Sequence, residues 1–168
     1  MSTTLTGPAA TPGGLETRIL NEGYGPGAWH GADLKAALAD VAPALAFWRP
    51  APGRHNIAEI ALHHAYYVRS VRGRVSGEAP EPFVLDGDDW FEASGTTGPG
   101  WAEIQAVVGA EQEKLAALAG DLAAGRATSP LGQAERFDLV LGITCHAVYH
   151  AGQVQLVKRL REAAANGT

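Results

Sequence analysis

The sequence predicts an all-α fold, a four-helix bundle with a short extra N-terminal helix. Three observations lead there. Alanine and leucine supply most of an apolar content of 46%, while aromatics make up only 7%, a balance that favours helix over strand. Three stretches carry apolar residues at steps of three and four, the period of a helix with one buried face. No stretch alternates apolar and polar residues as a half-buried strand would.

The elements follow in order. Residues 1–14 are mostly Thr, Gly, Pro and Ala and carry no charged side chain, which reads as a flexible N-terminal tail. The bundle domain then spans residues 15–165. Leu15 to Asn21 form a short helix with Leu15 and Ile19 as its apolar contacts. A glycine-rich loop follows; no strand precedes it and its spacing is wrong for a nucleotide-binding turn. A helix starts at about Asp33 and carries Leu34, Leu38, Val41, Leu45 and Trp48. Pro43 should break or kink it near Ala42. The next helix begins after Asn56, an N-cap with Glu59 three residues on to complete a capping box. Its apolar stripe is Ile57, Ile60, His64, Val68, Val71 and Val75, and Gly77 stops it.

Residues 78–100 are rich in helix breakers yet contain Phe83, Trp90 and Phe91. A long loop with such aromatics should fold back over the bundle, with Trp90 or Phe91 close to whatever site lies there. Trp101, Ile104, Val108, Glu111, Leu115, Leu118 and Leu122 then mark a third long helix, and the last runs to about Ala165. Its seam reads Leu139, Ile143, His146, His150, Gln153, Val157, Leu160. The centre of that seam holds two imidazoles and an amide, which cost free energy in a bundle interior unless something satisfies them.

His146 and His150 are one turn apart on one face, so both rings can reach a single divalent ion at about 2.0–2.1 Å. A third imidazole is available on the second long helix. Periodicity favours His64, which lies in the apolar stripe; His63 lies toward its edge, where a metal at a cleft rim would be held. Ala147 follows His146, so the glutamate of a zinc peptidase motif is missing. Cys145 points about 100° away from His146 round the helix and reads as a core thiol. Three neighbours are candidate catalytic groups. Gln153 would orient a bound water or ligand, or fix helix register. Tyr67 would donate to a metal-bound group, or only pack. Glu59 would act as outer acceptor or base, or only cap the helix.

Asn56-Ile-Ala-Glu-Ile-Ala-Leu-His63, followed by Gly142-Ile-Thr-Cys-His146-Ala-Val-Tyr-His150-Ala-Gly-Gln153, resembles the DinB/YfiT-like superfamily. Trp29-His30-Gly31, the aromatic loop and Trp101 match one branch of it, so the resemblance spans roughly residues 15–162. It implies a four-helix bundle, a homodimer and a three-histidine divalent metal site. The family's helix histidine falls on His63, which makes the implied ligands His63, His146 and His150. The next position is usually apolar in the family, and here it is His64. The metal expected is zinc or nickel, then iron or manganese. Some relatives are S-transferases that use a low-molecular-weight thiol such as bacillithiol or mycothiol. The resemblance thus implies a small-molecule substrate and either a metal-dependent thiol transferase or hydrolase, or a metal-binding stress-response module without turnover.

Composition excludes other classes. A net charge of −5 without a basic cluster argues against nucleic acid. No apolar run reaches the length of a membrane span. One cysteine excludes an internal disulfide framework, and with no signal-peptide pattern the expected location is cytoplasmic.

Overall fold

A computed structural model of the chain describes residues 14–26 and 28–167. The expected tail, residues 1–14, lies outside the described residues except for Gly14, which opens the first helix. All regular structure among the described residues is helical: α1 (Gly14–Gly23), α2 (Leu34–Ala39), α3 (Pro43–Ala46), α4 (Ile57–Ser76), α5 (Trp101–Ala123) and α6 (Gln133–Asn166).

The long helices begin and end where their sequence signals stand. The Asn56 side chain accepts from the Glu59 N–H at 2.9 Å, and the Glu59 carboxylate accepts from the Asn56 N–H at 3.2 Å. Two of the orphan donors at the N-terminus of α4 are thereby satisfied. Gly77 ends α4 in the left-handed region at φ 76° and donates to the Gly73 carbonyl, a conformation that costs glycine nothing. A Cβ at Gly77 would also stand 2.7 Å from Pro130 Cγ. At α5 the Glu103 carboxylate accepts the Gly100 N–H at 2.7 Å, and at α6 Glu135 accepts that of Gly132 at 2.8 Å.

The all-helical bundle is as expected, and the difference lies in its fourth wall. The helix expected from about Asp33, with a break or kink at Pro43 near Ala42, stops at Ala39. Pro43 holds Ala42 in an extended conformation, φ −73° and ψ 151°, and restarts the chain as the one-turn α3, because the proline ring excludes its predecessor from the helical region. Among the described residues the bundle therefore has three long helices. α4 packs on α5 and α6, and the remaining side is shared by α1, which lies on α5 and α6, and by α2 on α6. Gly23 makes the α1–α6 approach possible: a Cβ there would meet Ala147 Cβ and the Thr144 carbonyl oxygen, each at 2.9 Å.

The buried line of α6 also differs. It runs through Val140, Ile143, Ala147, His150, Ala151, Val154 and Val157. Leu160, expected in the seam, is exposed, and His146 and Gln153 are half-buried at its edge. Ala147 and Ala151 carry little weight in a reading of large apolar residues, yet small side chains are what a close helix contact needs. Cys145, read as a core thiol, is exposed. It lies on a side of α6 where Leu141 and Tyr149 are also open to solvent among the described residues.

Candidate metal centre

His63 and His64 are consecutive on α4, yet both are buried. Each faces α6 with a different edge. The Nε2 atoms of His63 and His146 are 3.1 Å apart, as are those of His146 and His150. The three residues offer ligand atoms that all lie within 4.8 Å of one another. Two nitrogens on one tetrahedral ion, each at about 2.05 Å, are separated by about 3.3 Å. Two of the three spacings are already close to that figure, so these residues could hold a divalent metal with small ring movements.

Each of the three rings has a partner on its other nitrogen. His63 Nδ1 donates to the Asp89 carbonyl at 2.9 Å and lies 3.1 Å from the Asp89 carboxylate. His150 Nδ1 donates to Gln153 Oε1 at 2.6 Å. His146 Nδ1 lies 3.1 Å from His64 Nδ1. In the first two rings the acceptor is a carbonyl oxygen, which fixes the proton on Nδ1 and leaves Nε2 as a lone pair. Metal-bound histidines are oriented by such contacts.

The rings are held neutral. Burial depresses the pKa of His146 to about 4, assisted by the charges of His150 and His63. Burial likewise brings His150 to about 4, partly opposed by its bond to Gln153. His63 is lowered by burial against the opposing pull of Asp89, and the fully buried His64 lies well below its ordinary value. Neutral imidazole is the form that binds a metal.

The aromatic loop covers one side of the cluster. Trp90 stacks on His63 with ring centres 3.9 Å apart, and on its other face His55 stacks at 3.6 Å. The approach expected of Trp90 or Phe91 is thus made by Trp90, while Phe91 is buried against Tyr66 and Phe83. His55, exposed to solvent, is the outer leaf of that stack and also contacts Glu59 through Nδ1 at 3.1 Å.

The other expected participants divide clearly. Gln153 touches the cluster through His150, and its amide donates to the Tyr149 hydroxyl at 3.1 Å. Tyr67 stands beside His63 and His146, and its hydroxyl donates to Asp89 Oδ1 at 3.1 Å. Glu59 is turned away from the cluster. It is saturated by Arg49, His55 and the backbone N–H groups of Asn56 and Ala93. Burial raises its pKa, but the Arg49 bond and the two N–H donors, with His55, more than offset that and hold it below the usual carboxylate range. His30, on the far loop, bonds the Glu22 carbonyl at the surface, and Trp29 is exposed.

Asp89 was missed by the sequence reading. Its signal is structural: it has φ 62°, the one positive value outside glycine among the described residues. Aspartate is among the few side chains that tolerate that region, and an isolated outlier of this kind marks a place worth attention. No residue pattern around Asp88-Asp89-Trp90 announces it.

No helix among the described residues is long and apolar enough to cross a membrane. No curated protein and no solved structure matches the chain. The family model described as the DinB superfamily matches residues 28–154, a stretch that takes in α2 to α5, the aromatic loop and the histidines of α6. Together with the helical bundle and the three-histidine cluster, a match over well more than half of the sequence means that the chain belongs to the DinB superfamily.

Proposed function

We propose that the chain binds one divalent ion on His63, His146 and His150 and acts as a metal-dependent thiol S-transferase or hydrolase. The observation that carries the metal site is the convergence of three Nε2 atoms from rings that each engage a separate partner through Nδ1. These Nε2 atoms otherwise meet only one another, His146 Nε2 lying 3.1 Å from each of the other two. An ion held there would supply Lewis acidity and lower the pKa of a water or thiol at its open positions. Zinc or nickel suits an all-imidazole set, with iron or manganese next.

The chain's own residues would shape the rest of the site. Trp90 covers His63 and keeps water from that side. Tyr67 and Tyr149 stand at the open rim, about one-third and two-thirds exposed, where their hydroxyls can meet a small polar substrate. Asp89 fixes both His63 and the Tyr67 hydroxyl. The thiol is inferred from family resemblance alone.

One observation favours the second reading, a metal-holding bundle without turnover. Glu59 is saturated and Asp89 is engaged by His63 and Tyr67, so neither stands free as a general base. The test is metal stoichiometry followed by turnover. The purified chain should hold one zinc or nickel per chain, and His146→Ala and His150→Ala should hold none. The loaded chain is then offered a model electrophile with several low-molecular-weight thiols. Retention of metal by both alanine variants would sink the site. Metal binding with no turnover for any thiol, or with water, would select the second reading.

A further inference from the structure

His64 is buried completely, stands next to a candidate ligand, and is not itself part of the converging set. A leucine there would satisfy the apolar stripe of α4 without leaving polar atoms in the core. What the imidazole does instead is visible in its contacts. Its Nδ1 lies 3.1 Å from His146 Nδ1. Its Nε2 is buried and unbonded, as is Gln112 Oε1 on α5. Gln112 is a side-chain neighbour of His64 in that part of the core. A buried ring nitrogen and a buried amide oxygen without other partners are complementary if the nitrogen carries the proton.

A neutral imidazole has one N–H and one lone pair. Of the two arrangements of the His64–His146 pair, only one leaves all three Nε2 atoms of the cluster as lone pairs for a shared cation. If His64 Nδ1 donated, His146 would carry its proton on Nε2, pointing into the cluster. His64 Nε2 would then present a lone pair toward the Gln112 oxygen, so two acceptors would face each other in the core. If His146 Nδ1 donates, His146 Nε2 is a lone pair like those of His63 and His150, and His64 Nε2–H has an acceptor in Gln112.

We propose that His64 is the positioning residue for His146: its Nδ1 accepts the His146 Nδ1–H, so that His146 Nε2 is available as a ligand, and its own Nε2–H is directed to Gln112. The inference rests on the metal-site reading above and deepens it. Each of the three rings then has its own orienting partner: Asp89 for His63, Gln153 for His150 and His64 for His146. It also explains the polar residue at a position that resemblance to the family would make apolar.

The experiment uses the full chain loaded with zinc alone. In nitrogen-15 spectra His146 should be protonated at Nδ1 and His64 at Nε2, with a scalar coupling between the two Nδ1 atoms across the hydrogen bond. His64→Leu removes the acceptor and fills the core. It should fold, judged by its circular dichroism, but bind zinc about 10–100-fold more weakly in chelator competition, the usual cost of losing an outer partner. His64→Asn places an oxygen near the lost Nδ1 and should recover most of that affinity. A purely packing role would reverse the order, since Leu fills the site better than Asn. Zinc affinity unchanged in His64→Leu, no recovery in His64→Asn, or a His146 ring protonated at Nε2 in the loaded chain would each overturn the proposal. The spectra of the unmodified chain decide the matter even if His64→Leu does not fold. Failure of the underlying site looks different: zinc would then bind no more tightly to the unmodified chain than to His146→Ala.

Discussion

Acidification should unfold the metal-free protein through its buried imidazoles. His150 is 2% exposed and its pKa is held near 4 by burial, against about 6.5 for histidine in an unfolded chain. The sign follows from proton binding. Between pH 6.5 and 4 the unfolded chain takes up the proton and the folded chain does not, so stability falls as pH falls. The contribution is fully present above about pH 6.5 and lost progressively down to about 4. At pH 5 the difference for His150 alone is about 2 kcal/mol. His146 shifts in the same direction to about 4, but it is only half-buried and coupled to His150, so its share is smaller and not additive. A total loss of about 2–4 kcal/mol is a large part of the 5–15 kcal/mol that holds a typical domain. The assay is urea unfolding of chelator-treated protein at pH 7.5, 6 and 5, with His150→Gln as a control that should lessen the slope, the remainder being carried by His146, His64 and His63. Glu59 does not confound this window, since its pKa lies below the ordinary carboxylate value. A change under about 0.5 kcal/mol between pH 7.5 and 5, or a gain, would refute the reasoning.

Other perturbations have equally definite outcomes. Glu59→Gln should destabilise the fold by about 1–3 kcal/mol in denaturant titrations, because Arg49 and His55 lose their charged partner while the amide presents donors to N–H groups. Equal stability would mean that the Arg49 pair contributes nothing. Trp90→Ala should raise the His63 pKa toward its ordinary value, since burial is the first cause of its depression, and should speed metal loss to a chelator; an unmoved His63 titration by NMR would show that the indole does not shield it. Gly77→Ala forces a side chain into φ 76° and against Pro130, and should lower stability by about 1–2 kcal/mol. A midpoint unchanged in thermal melts would remove the strain argument.

The sequence disclosed the long helices because their end signals are local. Asn56 with Glu59, Gly77, and Trp101 after Gly100 each act within four residues, and the structure uses each of them. The histidines were legible for the same reason: spacing four on a helix is a statement about one face. The seam of α6 was misplaced by alanines that count little in a pattern but much in a close contact. The split of α2 from α3 was half visible, with Pro43 marking the break and nothing marking that the helix would end three residues earlier. The choice between His63 and His64 could not be made from a helical period, since both rings are buried and use opposite edges. Asp89 was illegible because its role comes from a backbone turn in a loop, brought 26 residues in sequence back to His63.

The fastenings of the aromatic loop have a consequence for the order in which the molecule assembles. Asn56 donates to the Ala93 carbonyl, Glu59 accepts from Ala93, His63 and Tyr67 hold Asp89, and Arg69 donates to the Glu81 carbonyl. All of these land on α4 or its cap, at separations of 12 to 37 residues. The bonds that join α4 to His146 span 82 and 83 residues. Closing the longer loop costs more chain entropy, and contacts of short range form sooner. α4 and its loop can therefore mature as a cooperative unit, with His63, Trp90 and His55 already stacked, before α6 arrives. On that route the His63 side of the candidate metal site is built and shielded in advance, and the C-terminal helix delivers the other two imidazoles to a finished surface.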